Sequence, residues 1–252
     1  MYADGPWTRL STASAVTATT ATFGKISLTG QFMVVQESEV SVSDVRGNMY
    51  DFTSTAGRVF IPNTTKTSAT ALGLPTAAIT VEAWVKPIST GTYADIVTFV
   101  QDNGAVEHGF ELGYGGGLRA RVAGGSAGLA TTAGVPISRN EWHHTAFTYD
   151  GSIIRVYLDG VEVQTLAETG PINYIDSWLV IGGYKDDNED YFHNGPIDEV
   201  RIWNMARTQA EIRDNMHLTL KGNETGLFAY YQFNNDDPVG TVNGVKDALG
   251  IN

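Results

Sequence analysis

The sequence predicts an all-β protein, a sandwich of two antiparallel sheets with one short helix near its C-terminal end. Three observations carry that expectation. Short runs alternating apolar and polar residues recur along the chain, as half-buried strands do. Turn residues punctuate the runs, with 28 glycines and a background rich in Thr, Ser and Val. Hydrophobic residues make up 42% of 252 and charged residues only 17%, enough apolar material for one large core.

In chain order, residues 1–45 form a Ser/Thr/Ala-rich extension with one or two strands, its alternating run lying at 30–42. The sandwich is expected over 46–235, with 236–252 as a tail or the start of a following module. Strands are expected at 79–86, 95–100, 109–114, 118–122, 142–149, 153–158, 161–166, 179–181, 197–203 and 227–233. In the first of these, Ile79, Val81, Ala83 and Val85 share one face, and Thr80, Glu82, Trp84 and Lys86 the other. Trp142 and Trp203 are expected in the core, with Trp84 a weaker candidate. His143 and His144 open one strand facing opposite sides, one buried and one solvated.

Asp150-Gly151 and Asp159-Gly160 join three of these strands as hairpins. Asp-Gly suits the type I′ turn, which needs positive φ and matches strand twist. The helix is expected over 209–217. Thr208 at its N-cap and Glu211 three residues on make a capping box, satisfying otherwise orphaned N–H groups.

Composition excludes several functions. With no cysteine, neither disulfides nor thiolate-bound zinc holds the fold. The net charge of −12, from 28 acidic and 16 basic residues, argues against nucleic acid, whose phosphates need a basic face. The same charge serves solubility or hard cations. No run approaches the roughly 20 apolar residues of a membrane span. Residues 1–7 lack the basic-then-apolar order of a signal peptide, so the chain reads as a segment of something larger.

One loop carries candidate chemistry. Between residues 185 and 194 lie the carboxylates Asp186, Asp187, Glu189 and Asp190 and the amides Asn188 and Asn194. Such a cluster repels itself unless neutralised, and calcium takes oxygens from these groups. The spacing is not an EF-hand, lacking its turn glycine and terminal Glu. The residues alone leave two readings open, a calcium loop and a solvated surface excursion. Tyr184, Tyr191, Phe192 and His193 sit beside the carboxylates, with Tyr174 and Trp178 just upstream. Aromatic faces with a few polar anchors suit a sugar, and the expected ligand contacts are Tyr184, Tyr191, His193 and Asn194. Phe192 and Trp178 would equally serve to plug the end of the sandwich.

The series ITVEAWVKP, NEWHHTAFTYDGSIIRVYLDGVEV, LVIGGY and GPIDEVRIWNMARTQAEI resembles the laminin-G-like jelly-roll domains of the concanavalin-A-like lectin/glucanase group, related to the pentraxins. TGLFAYYQF resembles the strand after the helix in that family. The resemblance runs from about residue 49 to 233 and implies a jelly-roll sandwich. It also implies an extracellular, secreted or cell-surface setting and a glycan or cell-surface glycoprotein as partner. For calcium it points to Asp102 and Asn103 in one loop with Asp186 in another, Tyr184 standing where the pentraxin branch has a ligand carboxylate. Asp187 or Asp190 would substitute. Asp198, with Asp51, is a second candidate, and a structural role for Asp198 fits as well. The alternatives to a calcium-dependent lectin are an interaction domain of a large adhesin and a glycosidase or lyase relative.

The catalytic alternative fares worse on the residues. Paired carboxylates on one strand, as Glu-x-Asp-x-x-Glu, do not occur. Glu107 and Glu111 are split between a loop and a strand start, and Asp198 and Glu199 face opposite ways. Arg119 and Arg121 share a sheet face and read as solvent-facing charges rather than a lyase site. No nucleophile elbow, HExxH or P-loop is present. No catalytic residue is expected.

Overall fold

A computed structural model describes residues 15–17, 20–22 and 49–233, apart from 53–56, 63, 92 and 126–127. The alternating run at 30–42 and the tail at 236–252 lie outside the described residues. The chain divides after Gly47 into two compact units. In the first, β1 (Ala15–Thr17) and β2 (Thr20–Thr22) form an antiparallel hairpin.

The second unit opens with β3 (Tyr50–Asp51), β4 (Val59–Ile61) and a one-turn helix α1 (Ala69–Leu72). There follow β5 (Ile79–Val85), β6 (Val97–Asp102), β7 (Glu107–Tyr114), β8 (Leu118–Val122) and β9 (Ala130–Thr131). After a loop come β10 (His143–Tyr149), β11 (Ile153–Leu158) and β12 (Val161–Ala167). Then come β13 (Leu179–Ile181), β14 (Gly183–Lys185), β15 (Asp190–Phe192) and β16 (Pro196–Trp203). Helix α2 (Gln209–Asn215) and β17 (Leu227–Tyr231) complete it.

These strands build two antiparallel sheets, as the alternation predicts. One runs β12-β11-β10-β5-β16-β17, with β3 also pairing β16. The other runs β4-β13-β6-β7-β8-β9, and β14–β15 is a separate hairpin. Ile79, Val81, Ala83, Val85, Phe147 and Ile202 of the first sheet share one core with Val97, Phe99, Phe110, Leu112 and Ala120 of the second. Strands β5, β6, β7 and β8 each supply every other residue to that core, as the period of two requires, while a bulge interrupts the alternation in β16.

The two Asp-Gly hairpins differ from one another. Asp159 (φ 51) and Gly160 (φ 76) both adopt positive φ, as a type I′ turn demands. At the other, only Gly151 does, and Asp150 Oδ1 accepts from the backbones of Ser152 and Ile153 in a three-residue loop. The capping box of α2 is complete, and α1 is a second helix that the sequence reading did not include.

Helix α2 and its flanks cover the outer face of β5 and β16, so β5 is buried on both sides. Glu82 sits beneath this cover, accepting from Trp203 Nε1 at 2.7 Å and facing His144, Arg207 and Arg201. Trp84 donates to the Met216 carbonyl. Trp84 and Trp203 are therefore buried in this outer layer rather than between the sheets, and Trp142 is only half-buried. His143 and His144 are both buried, correcting the expectation of one solvated ring.

Candidate functional site

The outer face of the six-stranded sheet is polar. Opposite the core residues of β6, β7 and β8 stand Thr98, Glu111 and Arg121 in one cross-strand row. Glu111 is fully buried and binds two guanidiniums, Arg119 Nε at 3.0 Å and Arg121 Nε at 2.8 Å. Arg121 Nη2 reaches Glu107 at 2.9 Å. Glu107 and Glu111 thus lie on one strand and one face, and neither arginine is a free surface charge, which corrects both expectations. Asp95 completes the row over Gly113, where an added Cβ would come 1.8 Å from its Oδ1. Burial and the nearby Glu111 carboxylate push the Asp95 carboxyl well above the usual range.

The β14–β15 hairpin lies against this face, anchored by the Thr98 hydroxyl donating to the Gly183 carbonyl at 3.0 Å. It brings Tyr184 and Tyr191 to Tyr93, from the β5–β6 connection. Tyr93 and Tyr191 stack with ring centroids 5.0 Å apart and 20° between planes. Tyr184 leans on Tyr93 at 5.4 Å. Arg119 and Arg121 sit 5.3 and 5.7 Å from the Tyr93 centroid, within cation–π range. Tyr191 is 37% exposed, Tyr93 is half-buried, and the Glu107 side chain is 30% exposed. A stacked, partly exposed tyrosine pair on a rigid ionic floor results.

The expected calcium ligands separate. Asp186 is buried, and its Oδ1 accepts from the Asn188 and Glu189 backbones at 3.0 and 2.6 Å. Asp187 pairs with Lys66 at 2.5 Å and Asp190 with Arg58. Asp102 Oδ1 accepts from Gly104 N, and Asn103 Oδ1 from Ala105 N and Val106 N, each closing its own turn. Asp198 is buried at a bulge in β16, where Oδ1 accepts from Glu199 N, and Pro196 faces Asp51 across the sheet.

One corner does concentrate negative charge. The Tyr184 hydroxyl lies 2.9 Å from Glu107 Oε1 and 3.1 Å from Asp186 Oδ2, bridging two carboxylates. Burial, then Asp186, Glu107 and Asp102, raise the Glu189 carboxyl. The oxygen donors of Asp102, Glu107, Asp186 and Glu189 suit a hard cation. In the arrangement present, turn N–H groups, Arg121 and the hydroxyls of Tyr184 and Tyr191 already engage all four. Among the described residues, no three His, Cys, Asp or Glu side chains are grouped as a metal would need.

The expected ligand contacts divide too. Tyr191 reaches the surface. Tyr184 is fully buried, its hydroxyl spent on the carboxylates, so it supports the site from beneath and cannot wall it. His193 is buried between Phe52 and Tyr114, 6.1 and 5.8 Å from their centroids, with Nδ1 on the Ala94 carbonyl at 3.3 Å. Burial pulls its pKa down to about 4 against that hydrogen bond, leaving a neutral core ring. Asn194 is half-buried, its carbonyl accepting from Ile88 N. Phe192 lies under Arg58 at 4.4 Å, and Trp178 donates to the Thr64 carbonyl, consistent with plugging roles. The sequence does not mark Tyr93 by any pattern, and Glu107, Arg119 and Arg121 receive no site role from it, although the two arginines' shared face is legible in their spacing.

A laminin-G-type family model, described as the concanavalin A-like lectin/glucanases superfamily, matches residues 55–213. Mouse pappalysin-1 is 33% identical over 81 residues, which is 30% of this chain and 5% of pappalysin-1; human pappalysin-1 matches equally. The match therefore spans a small fraction of those relatives. A Bacteroides ovatus structure, described as a candidate carbohydrate-binding protein, superposes with a TM-score of 0.51 at 24% identity. It covers 81% of this chain and 55% of the other, a likeness of fold.

Proposed function

The chain belongs to the concanavalin A-like lectin/glucanases superfamily, and from that membership we propose that it is a carbohydrate-binding module of a larger secreted or cell-surface protein. The observation that carries the reading is the Tyr93–Tyr191 stack, with Tyr191 exposed above a buried Arg–Glu lattice. A sugar ring lays its apolar C–H face on Tyr191. Its hydroxyls reach the partly exposed Glu107 and Glu189 at the rim. Because Glu111 locks the arginines and Tyr184 is pinned by Glu107 and Asp186, the floor is preorganised and little is lost in ordering it.

Binding is favoured over hydrolysis by the state of the carboxyls. Glu111 is inaccessible and held by two guanidiniums, and Asp95 is fully buried. Neither can approach a glycosidic bond as an acid or a nucleophile, which retaining hydrolysis requires of a pair about 5–5.5 Å apart. The likeness in fold to the Bacteroides ovatus protein agrees with this reading.

Calcium, expected from the sequence, enters the proposal at the acidic corner alone. Asp102, Glu107, Asp186 and Glu189 would supply the oxygens, and the ion would neutralise the corner beside the sugar face. Because the Tyr184 hydroxyl and turn N–H groups would have to share their carboxylates, affinity in the range of about 10⁻⁴–10⁻³ M is expected. Glycan-array binding by the wild type and by Tyr191→Ala, each with calcium and with chelator, tests both parts of the proposal.

A further inference from the structure

A second constellation lies at the start of β10, on the other sheet. His143 is buried, with Nδ1 2.8 Å from Asp159 Oδ2 and Nε2 2.6 Å from Ser138 Oγ. Asp159 occupies the turn between β11 and β12, and its Oδ1 accepts from His144 N at 2.9 Å. Both carboxylate oxygens are thus fixed, and they fix the ring. Ser138 is exposed on the β9–β10 connection, as are Arg139, Asn140 and Glu141. Its hydroxyl donates to Glu141 Oε2 at 2.7 Å, so the proton must turn from Glu141 to Nε2 before the serine can react.

The geometry points to Ser138 as an activated nucleophile and to carboxylic esters as the substrate class it attacks. A hydroxyl within hydrogen-bond reach of an imidazole, itself oriented by a carboxylate, is the arrangement that makes serine reactive, and it is recognised by geometry rather than by sequence order. With Asp159 accepting the Nδ1 proton, the neutral ring would turn its Nε2 lone pair toward Ser138. Asp159 is a positioning residue; Ser138 and His143 meet the reacting atoms. In the forward step His143 Nε2 takes the Ser138 proton as Oγ bonds to the ester carbonyl carbon. The C–O bond to the alcohol breaks, and the alkoxide leaves with the proton from Nε2. Water then attacks the acyl-serine, its proton passing to His143 and on to Oγ, and the carboxylic acid departs. Esters rather than amides fit because the site is open surface and a single imidazole assists departure, which an alkoxide needs less than an amide nitrogen. Glu141 competes for the hydroxyl proton and restrains the site.

The test is labelling of the whole chain by a fluorophosphonate probe, with mass spectrometry locating the adduct. One equivalent on Ser138 is expected, with none there in Ser138→Ala. His143→Gln should slow labelling at least about 100-fold, as loss of a general base does. Glu141→Gln, a surface change that leaves the fold intact, should label as fast or faster. No adduct on Ser138, wild-type rates in His143→Gln, or slower labelling in Glu141→Gln would each overturn the proposal.

Discussion

At the scale of single residues, burial decides which side chains act and which only hold the structure. His193 and Glu82 illustrate the second class and predict how the protein responds to acid. Burial holds the His193 pKa down at about 4, against 6.5 for an ordinary histidine. The stability it contributes is whole above pH 6.5 and falls as pH drops toward 4, since the unfolded ring protonates first. Burial alone would raise Glu82, but His144, Arg201 and Arg207 outweigh it and bring the pKa to about 2. Its contribution falls from about pH 4.5 toward 2, where the unfolded carboxyl is already protonated. Each group carries on the order of 3 kcal/mol. The melting midpoint should therefore drop by about 5–10 °C between pH 7 and 4.5. His193→Phe, which keeps the packing on Phe52 and Tyr114, should flatten that drop, and an unchanged slope in the variant would count against this assignment. None of this was legible in the sequence. His193 stands beside four acidic residues, and only the hairpin's turn toward Phe52 shows that it points inward.

At the scale of elements, much more could be read. Alternation in β5 placed Ile79, Val81, Ala83 and Val85 in the core correctly, because a strand's period of two is a local property. The capping box of α2 was equally local. Thr208→Ala removes the acceptor for Glu211 N and should cost about 1 kcal/mol, measured as a lowered denaturation midpoint with an unchanged denaturant slope. Local patterns stop short of the site, however. The sequence leaves the acidic loop open between a calcium loop and a solvated excursion; it is a short hairpin whose carboxylates engage Lys66, Arg58 and its own backbone. Those partners lie more than 120 residues away for Lys66 and within a different strand connection for Arg58. Likewise the Glu111–Arg119–Arg121 lattice needs β7 and β8 in register, which alternation suggests but does not fix.

For the whole molecule, the jelly-roll sandwich followed from resemblance and composition together, and both sheets match it. The net charge of −12 gathers part of its excess at the Asp102–Glu107–Asp186–Glu189 corner, which motivates a calcium melt. Calcium at about ten times the expected dissociation constant should stabilise by about 1.4 kcal/mol and raise the midpoint by about 3–6 °C. Asp186→Asn keeps the turn-capping oxygen but removes charge, and should abolish the rise. A wild type indifferent to calcium would remove the ion from the account and leave the tyrosine face untouched.

The central claim is that the exposed tyrosine stack receives a sugar. Its most direct test is the glycan array on wild type and Tyr191→Ala, with melting curves run alongside. Because Tyr191 is a surface residue, the variant should melt within about 1 kcal/mol of wild type in stability. The account predicts at least one glycan bound by the wild type and an affinity loss of tenfold or more in the variant, about 1.4 kcal/mol. Glycan binding that survives Tyr191→Ala unchanged, or a wild type that binds no glycan with or without calcium, would contradict it.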